Sequence, residues 1–170
     1  MLYFISFLVI TVSCQRNEQV PAGKQGPEKL KEPLIKANQQ VMREENEQIN
    51  DYIRRHKLNM ETTTTGLRVM ITKNGIGAKA ERGMKVKLDY TIMLLTGDTI
   101  YTGDRDGPLV FEIGKGQVIS GLEEAILMLR LADHAKIIIP SHLAYGLNKK
   151  KKKIHNKASL VYDLEFISMF

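Results

Sequence analysis

Val118-Ile119-Ser120-Gly121-Leu122-Glu123-Glu124-Ala125-Ile126-Leu127-Met128-Leu129 is the stretch where the second half of this chain changes from strand to helix. Leu122, Ala125, Ile126 and Leu129 recur at i, i+3, i+4 and i+7, which lines one face of a single short amphipathic helix. The sequence on either side keeps a different period. Residues 84–93 alternate apolar and polar side chains as half-buried strands do, residues 67–71 do so loosely, and residues 109–113 form a third run. Gly75, Gly77, the pair Gly97-Asp98 and the run Gly114-Lys115-Gly116 mark turns. Residues 135–139 and 159–167 supply the last strands. One helix among about five strands predicts an α+β domain over residues 66–170, an antiparallel sheet wrapped over a short helix.

The first third of the chain is built differently. Residues 1–13, MLYFISFLVITVS, carry no charge and an apolar run from Leu2 to Ile10. A bilayer-spanning helix needs about 20 apolar residues, so this run has instead the length of a signal-peptide core. Cys14 follows Thr11-Val12-Ser13, and the composition then turns at once to Gln15-Arg16-Asn17-Glu18-Gln19. This junction resembles the signal of bacterial lipoproteins, in which the cysteine becomes the lipidated first residue of the mature chain. That resemblance implies lipidation of Cys14 and a domain anchored in the bacterial cell envelope, on the inner or outer membrane and facing the periplasm. Residues 14–27, with Pro21, Gly23, Gly26 and Pro27, read as a flexible tether. Residues 28–60 are rich in helix formers, and Leu34 with Val41, then Ile35, Met42 and Ile49, repeat every seven residues, with Tyr52 and Ile53 continuing the face. A polar amphipathic helix with so narrow a stripe fits two roles. It lies along the main domain, or it pairs with a second copy through residues 30–55 as a coiled coil does.

Composition excludes several classes. The chain of 170 residues carries 25 Lys+Arg against 19 Asp+Glu, a net charge of +6. Five of those cations are the consecutive lysines 149–153, and without them the charge would be +1. The basicity is therefore local, a solvated loop or a basic rim toward anionic lipid or acidic chains, and does not make a nucleic-acid-binding surface. A single cysteine excludes an internal disulfide framework and a cysteine-rich zinc site. His56, His134, His142 and His155 show no metal-ligand spacing. Gly114-Lys115 lacks the upstream Gly and following Ser/Thr of a phosphate loop, and Asp104-Arg105-Asp106-Gly107 lacks the further oxygen ligands of a calcium loop. No serine sits in a nucleophile elbow. What remains is a set of aromatic and aliphatic side chains at strand ends and around the helix. By residue type Tyr90 and Tyr162 suit a core or a pocket, and Phe111 and Ile113 suit a core better. Val118 and Ile119 fit a hydrophobic staple at a helix start, while Tyr145, in a loop before Gly146, has no structural reason to be aromatic.

Five segments occur in order: Val86-Lys87-Leu88-Asp89-Tyr90-Thr91; Gly97-Asp98-Thr99-Ile100-Tyr101; Phe111 through Glu124; Ile139-Pro140-Ser141-His142-Leu143-Ala144-Tyr145-Gly146; and Leu160-Val161-Tyr162-Asp163-Leu164. Together, from residue 75 to residue 170, they resemble the FKBP-type peptidyl-prolyl cis-trans isomerase domain. The signal, polar helix and domain taken together are more loosely similar to the gliding-motility-associated isomerase lipoproteins. The family resemblance implies the FKBP-like fold and catalysis of X-Pro rotation on proline-containing polypeptides, with no cofactor, no metal and no nucleic acid. It assigns Tyr90, Val118, Ile119, Leu122, Tyr145 and Tyr162 to the catalytic pocket, with Val118 and Ile119 on its floor and the Ile119 N–H donating to the ligand. Ile100, Tyr101, Leu109, Ala144 and Ile154 fall at substrate-binding positions.

The chain departs from the family pattern in the same places. Ile100 stands where Phe is usual and Tyr101 where an Asp pairs with an arginine, here Arg105. Leu109 replaces a frequent aromatic and Leu122 a frequent Trp. Residues 147–153 are dominated by lysine where the family has apolar residues, and His155-Asn156 replaces a Pro-Pro pair. These departures predict a shallower, more open pocket. They leave two expectations: an isomerase that assists the folding of exported proteins, or a weakly active or inactive binding module, a chaperone or an assembly component of envelope machinery.

Overall fold

The computed structural model describes the backbone of residues 27–146 and 153–170, and side chains over 31–146 and 153–170. The signal-like segment, Cys14, the tether up to residue 26 and residues 147–152 of the lysine run lie outside the described residues. Helix α1 spans Pro27–Arg55, and Pro33 stands inside it. The sheet contains β1 (Glu61–Thr62), β2 (Arg68–Lys73), β3 (Lys85–Leu94), β4 (Thr99–Thr102), β5 (Leu109–Glu112), β6 (His134–Ile139) and β7 (Leu160–Met169). Two short helices, α2 (Gly103–Asp106) and α3 (Ser120–Ile126), lie between strands, and a 3-10 turn, Ser141–Leu143, follows β6. An antiparallel sheet with a short helix packed across it is the expected architecture. The sheet has two strands more than the sequence suggested, because β1 has two residues and β4 four, too short for either to display a period.

All strand pairs are antiparallel, in the order β1-β2-β6-β7-β3-β4, with β5 also on β3. β3 is the hinge of the design. Along one edge it pairs with β7 from Val86↔Met169 to Leu94↔Leu160. Its other edge is shared, residues 85–88 going to β5 and residues 91–93 to β4. The segment joining β4 to β5, which carries α2, is thereby left between them.

Alternation along β3 and β7 sends Val86, Leu88, Ile92, Leu160, Tyr162, Leu164 and Phe166 to the face that α3 covers. The helix contributes Leu122, Ala125 and Ile126, and Leu129 follows it, all buried as the 3.6-residue period requires. Gly121 lets α3 approach the sheet: a Cβ there would lie 2.4 Å from Ile139 Cγ2. Among the described residues, α1 covers part of the opposite face of the sheet. Ile138 and Val161, register partners on β6 and β7, are fully buried against Ile49 and Tyr52 of α1. The second half of α1 therefore follows the first expectation, a helix lying along the domain. Burying a side chain such as Ile49 contributes about 1.5–3 kcal/mol, and Ile49 has no exposed surface. Leu34, Ile35, Val41 and Met42, nearer the start of the stripe, are exposed.

Candidate functional site

Strand register assembles one wall of a cavity of about 670 Å³. Ile92 is opposite Tyr101 on one side and opposite Tyr162 on the other, so Tyr101, Ile92 and Tyr162 form one row across β4, β3 and β7. Tyr90, two residues before Ile92, faces the same way, and Leu109 enters from β5. Leu122 and the residues leading into α3, Val118 and Ile119, complete the apolar lining, and Ala144 and Tyr145 close it from the segment after the 3-10 turn. Ile119 is the cap residue of α3, with extended backbone at φ −64° and ψ 145°. Its carbonyl accepts from the Leu122 and Glu123 N–H groups. A residue at the cap leaves its backbone N–H outside the helical ladder.

Nine of the eleven candidate pocket residues thus meet at one cavity. Ile100 and Ile154 do not line it. They are 6% and 8% exposed and packed in the core. Tyr101 shares the row of Ile92, and Ile100 falls at the irregularity between the pairs Ile92↔Tyr101 and Met93↔Thr99, where it packs into the core. Phe111 and Ile113 are likewise core residues.

The cavity also includes Asp106, Gln117 and Ser120, which sequence reasoning did not single out. Asp106 matters most. Its Oδ2 accepts from Arg105 Nη2 at 2.9 Å, from Arg105 Nε at 3.2 Å and from the Thr102 N–H at 3.0 Å. Arg105 also donates to the Ile100 carbonyl. The Arg105 hydrogen bond, then that of Thr102, holds the Asp106 carboxyl below the usual carboxylate range. Asp106 thus places a carboxylate paired with Arg105 on the lining of the cavity. In the sequence Asp106 stands out only as part of Asp104-Arg105-Asp106-Gly107, and its placement comes from α2, whose four residues show no period. Lys153 completes the rim, its Nζ 5.3 Å from the centroid of the Tyr101 ring.

The phenols are kept neutral. Burial pushes Tyr162 far up, with Tyr145 and Tyr90 adding to it. Burial also raises Tyr145, with Tyr101 and Tyr90 next, and raises Tyr90, with Asp106 next. In the neutral range these hydroxyls are hydrogen-bond donors inside an apolar recess, and none is a nucleophile. Such a site can desolvate a small apolar ring and hold carbonyl oxygens beside it.

Comparison with known proteins gives that arrangement a class. The family model for FKBP-type peptidyl-prolyl cis-trans isomerase matches residues 77–167. FK506-binding protein 2 of Dictyostelium discoideum is 38% identical over 92 residues, which cover 54% of this chain and 69% of the relative. Peptidyl-prolyl cis-trans isomerase FPR2 of Saccharomyces cerevisiae is 37% identical over 93 residues, again 54% of this chain and 69% of the relative. The crystal structure of AtFKBP13 superposes with a TM-score of 0.61 at 27% identity, covering 66% of this chain and 99% of that one. The chain belongs to the FKBP-type peptidyl-prolyl cis-trans isomerase family. Its activity is rotation about X-Pro bonds, and the domain binds proline-containing peptides.

Proposed function

We propose that this chain is a tethered isomerase that assists the folding of exported proteins, and that the cavity between β3, β7 and α3 is where it works. The observation that carries the catalytic part is the meeting of Leu122, Tyr162, Ile119 and Tyr145 around one apolar recess. Rotation about X-Pro is slow in water, taking tens to hundreds of seconds, because the amide must lose its resonance. No bond is made or broken, so no nucleophile is needed. A half-rotated amide has less charge separation than a planar one, so a low-dielectric recess disfavours the planar form more. Tighter binding of the twisted form lowers the barrier. In this reading the proline ring sits on Leu122 among Tyr90, Val118, Ile119 and Tyr162. The Tyr145 hydroxyl and the Ile119 N–H hold substrate carbonyls, and Asp106, fixed by Arg105, provides the polar edge beside the twisting amide.

Addition of the purified chain to a peptide enriched in cis X-Pro is expected to accelerate relaxation to equilibrium several-fold over buffer. Relaxation at the buffer rate overturns the reading and favours the binding module.

The tether belongs to the same proposal. It is supported by the uncharged apolar run ending at Cys14, by the polar spacer, and by the loose similarity to gliding-motility-associated isomerase lipoproteins. Each buried methylene of an acyl chain adds about 0.8 kcal/mol, and two or more chains give firm anchoring in the envelope, facing the periplasm. Labelled fatty acid is expected on the wild type and absent from Cys14→Ser. Pairing of two copies is supported by the exposed Leu34, Ile35, Val41 and Met42. Sedimentation is then expected to show a dimer that Leu34→Glu with Val41→Glu dissociates.

A further inference from the structure

Outside the isomerase domain, one carboxylate of α1 reaches the segment that carries the pocket wall. Glu45, on the half of α1 packed against the sheet, accepts three hydrogen bonds. Its Oε1 takes the Ser141 N–H and the Ser159 hydroxyl, each at 2.6 Å, and its Oε2 takes the Ser141 hydroxyl at 3.1 Å. Both serines are more than nine-tenths buried, at 7% and 6% exposure. Losing the acceptor would strand those donors away from water. Ser141 transmits the hold inward. Its carbonyl accepts from the Ala144 N–H at 3.1 Å and the Gly146 N–H at 2.9 Å, the two residues that flank Tyr145. At the other end Ser159 directly precedes β7, and the Lys157 N–H donates to the Gly146 carbonyl at 2.7 Å. A single side chain thus clamps both ends of the connection from 141 to 159.

We propose that Glu45 is a positioning residue for catalysis: it preorganises the Ala144–Tyr145 wall from outside the matched family domain, so that α1 sets how tightly substrate is held. The proposal rests on the isomerase reading of the same pocket. A loosened wall must be ordered each time substrate binds, and that cost falls equally on the planar and the twisted forms. Uniform loss of this kind raises KM and leaves kcat unchanged, whereas partial unfolding lowers apparent kcat at constant KM.

The test uses the full chain carrying Glu45→Ala, Glu45→Gln, or Glu47→Ala as the exposed control on the same helix. Peptide isomerisation is measured beside hydrogen exchange over residues 140–146. Glu45→Ala is expected to raise KM about three- to ten-fold at unchanged kcat. Exchange over 140–146 should quicken while β3 and β7 keep their protection. Glu45→Gln, which retains an acceptor oxygen, should recover most of the KM, and Glu47→Ala should match the wild type. Wild-type KM and exchange in Glu45→Ala overturn the proposal, and so does a fall in kcat at constant KM with faster exchange throughout. An inactive wild type contradicts the isomerase reading instead. The exchange arm then still decides whether Glu45 holds the wall.

Discussion

The floor of the pocket and its rim are held by different forces. Leu122 and Tyr162, 1% and 2% exposed, belong to the hydrophobic core, and the cavity begins where that core is left unfilled. Tyr101, Asp106 and Tyr145 stand on short segments placed by hydrogen bonds and charges: Arg105 on Asp106, Lys153 over Tyr101, and Glu45 through Ser141 behind Tyr145. A floor made of core cannot be altered without cost to the fold. A rim held by polar contacts can change while the scaffold stays. Of the departures from the family pattern, Tyr101 and Lys153 stand at the rim, whereas Leu122 and Ile100 keep apolar side chains in the core.

The largest effect should come from the floor. Leu122→Ala removes a fully buried side chain and is expected to cost about 2–5 kcal/mol of stability in urea melts, with isomerisation falling to the buffer rate. Gly121→Ala should follow, at about 1–3 kcal/mol, since its new Cβ would press on Ile139 as α3 meets the sheet. On the rim the balance reverses. Tyr145→Phe is expected to lower kcat/KM about three- to ten-fold while changing stability by less than about 1 kcal/mol. A stability loss as large as that of Leu122→Ala would erase the distinction between the two regions. Asp106→Asn should act more weakly still, about two- to three-fold on kcat/KM, because one of its oxygens can still accept from Arg105.

The pH dependence is the smallest effect and follows from the same groups. Asp106 is held low, so its contribution is complete above about pH 4, the ordinary Asp value, and fades as pH falls through the depressed value. Tyr90, Tyr145 and Tyr162 are raised, so theirs is complete below about pH 10 and is lost as pH climbs beyond it. As far as these four groups govern it, kcat/KM should be level between about pH 5 and pH 9.

The same division explains what was legible in the sequence. Leu122, Ala125, Ile126 and Leu129 displayed a helical period, and β3 displayed alternation, because each buries one face over several residues. Residues 135–139 and 159–167 were legible as strands, but that α1 also covers their second face at Ile138 and Val161 became visible only in the structure. Asp106 and Glu45 gave no such signal. Asp106 lies in a four-residue helix, and Glu45 is one acid among several on α1, distinguished only by two serines 96 and 114 residues away. Periodicity reports which side of an element is dry. It does not report which polar side chain closes a distant loop.

In the proposed site an X-Pro ring rests on Leu122 while the rim holds its carbonyls. An NMR measurement tests it most directly, on a proline-labelled peptide that exchanges between cis and trans in the presence of the chain. Magnetisation transfer between the two isomers is expected at a rate above buffer, with contacts from the proline ring to Leu122 and Tyr162. Exchange at the buffer rate, or proline contacts confined to α1 or other surfaces away from this cavity, would contradict it.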